Sequence, residues 1–350
     1  MAAEHSSALV SRTSSTSRWQ RIGPIVCLLL TAPIISELLY GAIRVRVIFV
    51  LINEIFTWGC GALLIREWVR RWRKSWQSML LLGLALAIAE EWVIQQTSIS
   101  PLVGSGVHAY SRVWGVNWVY FLWALGYWSV WVVQIPVQLT ELVFPARREQ
   151  LWLRKRGLVI VSSAFELGAR TAWYGWTQRA RVKIFHMLPY SPPSSYLLIG
   201  IGAILLLVCA PYVLPSRRSR DELPASRSAP PPWLVGLILF ALGLPWAAFI
   251  LLGWGPGAVP NIPFGPVLAG ALAWAAFTFL LARRWTSSPD WGDAHRYATV
   301  LGGMLACMLG GFIVFKVTGA ERIDWIVKSI LNAATIAGLI SLGHTIKRRA

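Results

Sequence analysis

The residues of this chain best suited to chemistry are two adjacent glutamates, Glu90 and Glu91, set in the apolar run GLALAIAEEWVIQQ at 83–96. A carboxylate deep in a lipid-facing helix costs about 2.5–3.5 kcal/mol on insertion scales, so one that persists faces protein, a cavity or a ligand. Two neighbouring carboxyls in a low-dielectric setting repel when both ionise, which predicts a shared proton or a bound cation. A purely structural buried network is the competing reading. Glu37, Glu54 and Arg170 are further ionisable groups embedded in apolar runs. Arg170 is the natural counter-ion for the pair, with Glu166 one turn earlier on its own helix as the rival partner.

Helical spacing groups these residues. Gly83, Ala87, Glu91 and Gln95 recur every four positions, which predicts one stripe of small and polar side chains facing a close neighbour. Glu90 lies about 100° round the helix from Glu91 and addresses other partners. Tyr127, Trp131, Gln134, Gln138 and Glu141 form a second stripe, which either lines a polar path or bonds helices together.

The elements that must hold these groups are apolar helices. The chain has 350 residues, is 56% hydrophobic and only 14% charged, with a mean hydropathy of +0.55. Soluble domains carry about 25% charge, so the composition predicts an all-α, polytopic transmembrane bundle. Ten spans fit the apolar runs, at about 22–42, 47–65, 77–96, 116–144, 157–176, 196–215, 233–253, 263–282, 297–318 and 325–345. The fifth is the weakest, because it contains Glu166 and Arg170. Residues 1–21 read as a disordered basic tail, 22–215 as a six-span bundle, 216–232 as a Pro/Arg-rich cytoplasmic linker and 233–350 as a four-span bundle. The last four spans read as nearly free of embedded charge.

With both termini cytoplasmic, most of the 33 Lys and Arg residues fall on the inner side, in keeping with the positive-inside rule. The same distribution explains the net charge of +18 without a nucleic-acid partner, since the charge sits in short loops and not on one soluble face. The run Arg66, Arg70, Arg71, Arg73 and Lys74 reads as an anchor for anionic lipid headgroups. Cys27, Cys60, Cys209 and Cys307 show no metal-ligand spacing, and neither a metal nor a cofactor motif is present. In this topology Glu37, Glu54, Glu90, Glu91 and Arg170 all lie roughly 7–11 Å below the outer surface, one polar layer shared by four helices.

A tandem Glu-Glu within a membrane helix resembles the first motif of the CAAX-protease/bacteriocin-processing (Abi) family of intramembrane proteases. Its EExxxR motif is followed by FxxxH and a further histidine motif. The resemblance implies a helical membrane hydrolase with Glu90 or Glu91 as the base that activates water. Here Gln95 takes the arginine position, and Tyr127 and Trp128 stand where the histidine would fall. Arg170, Tyr127 or a metal would have to substitute. The segments GALLIREWVRRW, AIAEEWVIQQTSISP and GVNWVYFLWALGYWSVW also resemble bacterial multi-pass membrane proteins of uncharacterised activity, which implies a bacterial cytoplasmic membrane.

Three functions follow. The first is a non-enzymatic membrane protein whose site (Glu37, Glu54, Glu90, Glu91, Gln95, Arg170 and Tyr127) binds or passes protons or a small polar or cationic ligand. The second is the Abi-like hydrolase. The third is a scaffold that offers Trp-rich grooves of the fourth span to a membrane partner.

Overall fold

The computed structural model describes residues 18–101, 111–213, 228–253 and 262–349. The predicted tail up to residue 17, most of the linker (214–227) and His108 lie outside the described residues. Helix makes up 80% of the chain, and the described strands are only Arg112–Val113 (β1) and Val116–Asn117 (β2), paired as a short antiparallel hairpin. The class is therefore all-α.

Ten long helices occupy the ten predicted ranges among the described residues. They are α1 (Trp19–Leu39), α2 (50–71), α3 (Trp76–Ile94), α4 (Trp118–Val143), α5 (155–183), α6 (Ser194–Val213), α7 (Pro232–Gly253), α8 (Phe264–Thr286), α9 (Asp293–Thr318) and α10 (Arg322–Arg349). Eight are long and apolar enough to cross a membrane. The other two are α2, with Glu54, Arg66 and Glu67 along it, and α5, with Glu166 and Arg170.

One apolar core runs through helices on both sides of the linker, including Leu28, Trp58, Leu86, Tyr127, Trp246, Met304 and Leu339. Small residues allow the closest crossings. A Cβ on Gly83 of α3 would stand 3.0 Å from Ser129 of α4, and one on Gly302 of α9 would stand 2.3 Å from the Gly236 carbonyl of α7. By contrast, α8 buries none of its apolar window and α6 only 11%, so both leave most of their apolar surface uncovered.

The helices are interrupted where the embedded acids fall. π-helical turns occupy Ile34–Leu39, Ile55–Gly59, Ala89–Ile94 and Trp128–Gln134 on α1 to α4, and a fifth occupies Tyr174–Ala180 on α5. Well under 1% of residues adopt this i→i+5 form, and it gathers at functional sites. Glu37, Glu90 and Glu91 sit within such turns, and Glu54 immediately precedes one. Just beyond the first, Gly41 takes φ +90°, a left-handed conformation that suits glycine and ends α1.

At the opposite end of α2, most of the basic run read as a lipid anchor is engaged within the protein. Arg66 is fully buried, and its guanidinium donates to the Glu67 and Glu141 carboxylates (2.8 and 3.3 Å) and to the carbonyls of Arg147, Arg148 and Gln150 (3.3, 2.7 and 2.7 Å). Five contacts match its five N–H donors, while the Trp152 ring covers its face at 3.7 Å. Arg70 forks onto both oxygens of Glu141 at 2.7 Å, and Arg71 donates to the Leu153 carbonyl. Lys74 is buried as well, so of the five basic residues Arg73 alone is well exposed. The physical reason is the turn 144–153, whose carbonyls need donors when packed against α2. This clamp joins α2, α4 and the turn, and Arg148 extends it to Asp293 at the start of α9 (2.8 Å).

Candidate functional site

Glu37, Glu54, Glu90 and Glu91 are all buried, at 6%, 5%, 1% and 0% exposure. The structure brings them together. Glu54, Glu91 and Glu37 are each close enough to act electrostatically on Glu90, and Glu37 acts likewise on Glu54. None of the salt bridges among the described residues reaches any of the four.

Two of the acids are held by a pair of stacked indoles. Trp58 of α2 donates Nε1–H to Glu37 Oε1 at 3.0 Å, and Trp128 of α4 donates Nε1–H to Glu91 Oε1, also at 3.0 Å. The two rings stack with centroids 4.6 Å apart and planes at 21°. The other oxygen of Glu91 accepts from Thr97 Oγ1 (2.5 Å) and Ser98 Oγ (2.6 Å). These hydroxyls lie in the turn after α3, which the Asn117 N–H, the Tyr190 hydroxyl and the Arg112 guanidinium pin through the carbonyls of Ser98, Ile99 and Ser100.

The remaining pair is different. Glu54 Oε2 and Glu90 Oε2 are buried, and neither has a hydrogen-bond partner. Of the four acids at the wide turns of neighbouring helices, two thus keep a buried oxygen open as an acceptor. Among the described residues no three His, Cys, Asp or Glu side chains are arranged to hold a metal ion together.

Three expected members behave otherwise. Arg170 pairs at 2.6 Å with Glu166, and both side chains are largely exposed, at 76% and 59%, so the in-helix rival captured it. Gln95 is half-buried and makes no side-chain hydrogen bond to Glu91. The π turn at 89–94 shifts the four-residue register, with the amides of both Gln95 and Gln96 bonding the Glu90 carbonyl, and Thr97 and Ser98 fold back in its place. Tyr127 is buried one layer behind the acids. Its hydroxyl donates to the Ser36 carbonyl at 2.8 Å, bracing the turn that bears Glu37, and lies 3.7 Å from Cys307 Sγ.

The second stripe bonds helices together. Tyr127 reaches α1, Trp131 donates to the Gly303 carbonyl of α9, Gln134 to the Trp76 carbonyl of α3, and Glu141 meets α2. Of the four tryptophans of α4, Trp123, Trp128 and Trp131 are inward, at 2%, 8% and 3% exposure, and Trp118 is half-buried.

Sequence reasoning missed Trp58, Trp128, Thr97 and Ser98. Trp58 falls one helical turn after Glu54, and Thr97–Ser98 close the run that bears the acids, so spacing was the available signal. It also missed Lys328. The last four helices were expected to be nearly free of embedded charge, yet Lys328 of α10 is only 2% exposed. It donates to the Leu39 carbonyl at the end of α1 and faces the rings of Phe312 and Phe315 (4.8 and 5.5 Å). Asp324 and Asn332, one turn to either side, are buried on the same face.

Fold and site thus define an all-helical protein with eight helices able to cross a membrane and a buried, acid-only cluster. The chain matches no protein-family model, no curated protein and no solved structure.

Proposed function

We propose that this chain is a ten-span protein of a bacterial cytoplasmic membrane, with both ends inside, that takes up and passes a proton or small hard cation at Glu37, Glu54, Glu90 and Glu91. The observation that carries this reading is the pair of buried, partnerless oxygens on Glu54 and Glu90, in a cluster that no salt bridge among the described residues reaches. An unsatisfied buried acceptor costs about 1–3 kcal/mol, and an isolated buried charge far more. A merely structural position would be better filled by an apolar residue. A group that loads and unloads a positive charge needs an acceptor left open.

Hydrolysis is less well supported, because Trp128 holds the position nearest the Abi-type histidine. Its indole N–H donates to Glu91 and has no lone pair with which to take a proton.

The test is infrared difference spectroscopy on protein in vesicles, stepped in pH and in sodium or potassium concentration. Carboxyl bands should respond in the native protein, and the Glu90→Gln variant should lose part of that response. Carboxyl bands that ignore both pH and cations would sink the proposal.

A further inference from the structure

A groove of about 590 Å³ opens between α7, α9 and α10, away from the acidic cluster. Its walls are apolar: Trp233, Leu237 and Phe240 from α7, and Tyr297, Leu301 and Leu305 from α9. Lys347 stands at one end, beside the starts of α7 and α9 at Pro232 and Ala294. That end belongs to the same membrane face as the Arg66 clamp, since Asp293, adjoining Ala294, pairs with Arg148.

We propose that this groove holds one acyl chain of an anionic glycerophospholipid, with the phosphate against Lys347. Length is the first argument. From Ala294 to Leu305 the groove follows α9 for eleven residues, about 16 Å at 1.5 Å per residue, which is half of a hydrocarbon core of roughly 30 Å. One leaflet's chain fits that depth, and a chain from the far leaflet does not. Charge is the second. Lys347 makes no ion pair among the described residues and is followed by Arg348 and Arg349. Asp293, the carboxylate next to Ala294, is already neutralised by Arg148 at 2.8 Å and Arg296 at 3.3 Å. The mouth is therefore positive while the walls are apolar, the complement of an anionic lipid and not of a zwitterionic one. Trp233, 68% exposed at the same end, stands where an indole meets the headgroup layer. The arginine-rich run at 66–74 cannot offer this contact, because most of it is spent on the clamp.

The experiment adds phosphatidylglycerol or phosphatidylcholine, in equal mole fraction, to delipidated full-length protein and reads retained lipid by native mass spectrometry. Phosphatidylglycerol should be retained about fivefold better, the worth of one basic residue beside an anionic headgroup. Lys347→Glu should abolish that preference while some lipid still binds. Leu237→Trp, which fills the groove from a partly exposed position, should reduce both lipids. Glu90→Gln should leave the preference intact, which separates this proposal from the reading of the acidic cluster. Equal retention of the two lipids, an unchanged preference in Lys347→Glu, or displacement of bound lipid by inorganic phosphate alone would overturn it.

Discussion

Two buried polar clusters occupy opposite ends of α2, and they treat the same residue type in opposite ways. At the Arg66 end, each N–H of the guanidinium has an acceptor, and Glu67 accepts from Arg66 and from the amides of Trp152 and Leu153. At the Glu54 end, the acids gather with no bonded cation, and two of them keep an empty oxygen. Arg66 has no N–H left to offer, although Arg71, Arg147 and Arg148 around it each keep a buried Nε–H without a partner, and its contacts tie α2, α4 and the turn 144–153 together. A cluster short of positive charge, on the function proposed above, takes up a proton or a cation. The contrast separates architecture from function more sharply than burial does, because both clusters are buried.

The largest effect should come from breaking the matched cluster. Glu67→Ala takes from buried Arg66 the closer of its two carboxylates and leaves two backbone amides bare, so it should cost about 3–5 kcal/mol. Thermal unfolding in detergent or the folded yield in membranes would show it, and a near-native melting curve would erase the distinction between the clusters. Glu90→Gln should do the opposite. It removes no hydrogen bond of the side chain's free oxygen and relieves like-charge crowding, so stability should move by no more than about 1 kcal/mol. The response of the cluster to pH or cations should nonetheless fall. Loss of folded protein on this substitution, comparable to Glu67→Ala, would show that the acids are architectural too.

The class, the positions of the ten helices and the identities of the four acids were all legible, because embedded charge and apolar length are local properties of the sequence. What was not legible is which charges meet. Glu166 sits one turn from Arg170 and captured it, whereas the partners of Arg66 come from a turn some eighty residues away. The π turns were also hidden, since a single extra residue per turn leaves composition unchanged while rotating everything after it. That rotation removed Gln95 from the stripe and delivered Thr97 and Ser98. Lys328 was legible in principle, as the middle of Asp324, Lys328 and Asn332 at four-residue spacing, a buried stripe on an otherwise apolar helix.

A subtler cut tests the indole pair. Trp128→Phe keeps a ring beside Trp58 but withdraws the N–H from Glu91 Oε1, so it should cost about 1–2 kcal/mol. Glu91 would still accept from Thr97 and Ser98, and its carboxyl band should shift while that of Glu90 holds. An unchanged Glu91 band would show that the stacked indoles contribute packing alone.

The smallest effect should fall on Arg170. Its ion pair with Glu166 is exposed on both sides, and exposed pairs four residues apart on a helix contribute about 0.3–0.5 kcal/mol. Arg170→Ala should therefore leave the melting temperature and the carboxyl bands near their native values. The substitution is informative because the sequence alone makes Arg170 the obvious counter-ion of the acids. If it did serve them, removing it would change the charge state of Glu90 and Glu91 and disturb the infrared response as much as Glu90→Gln does. Such a result would mean that α5 turns its basic face inward while the protein works, and that the acidic cluster borrows its missing charge from an arginine that points to the outside at rest.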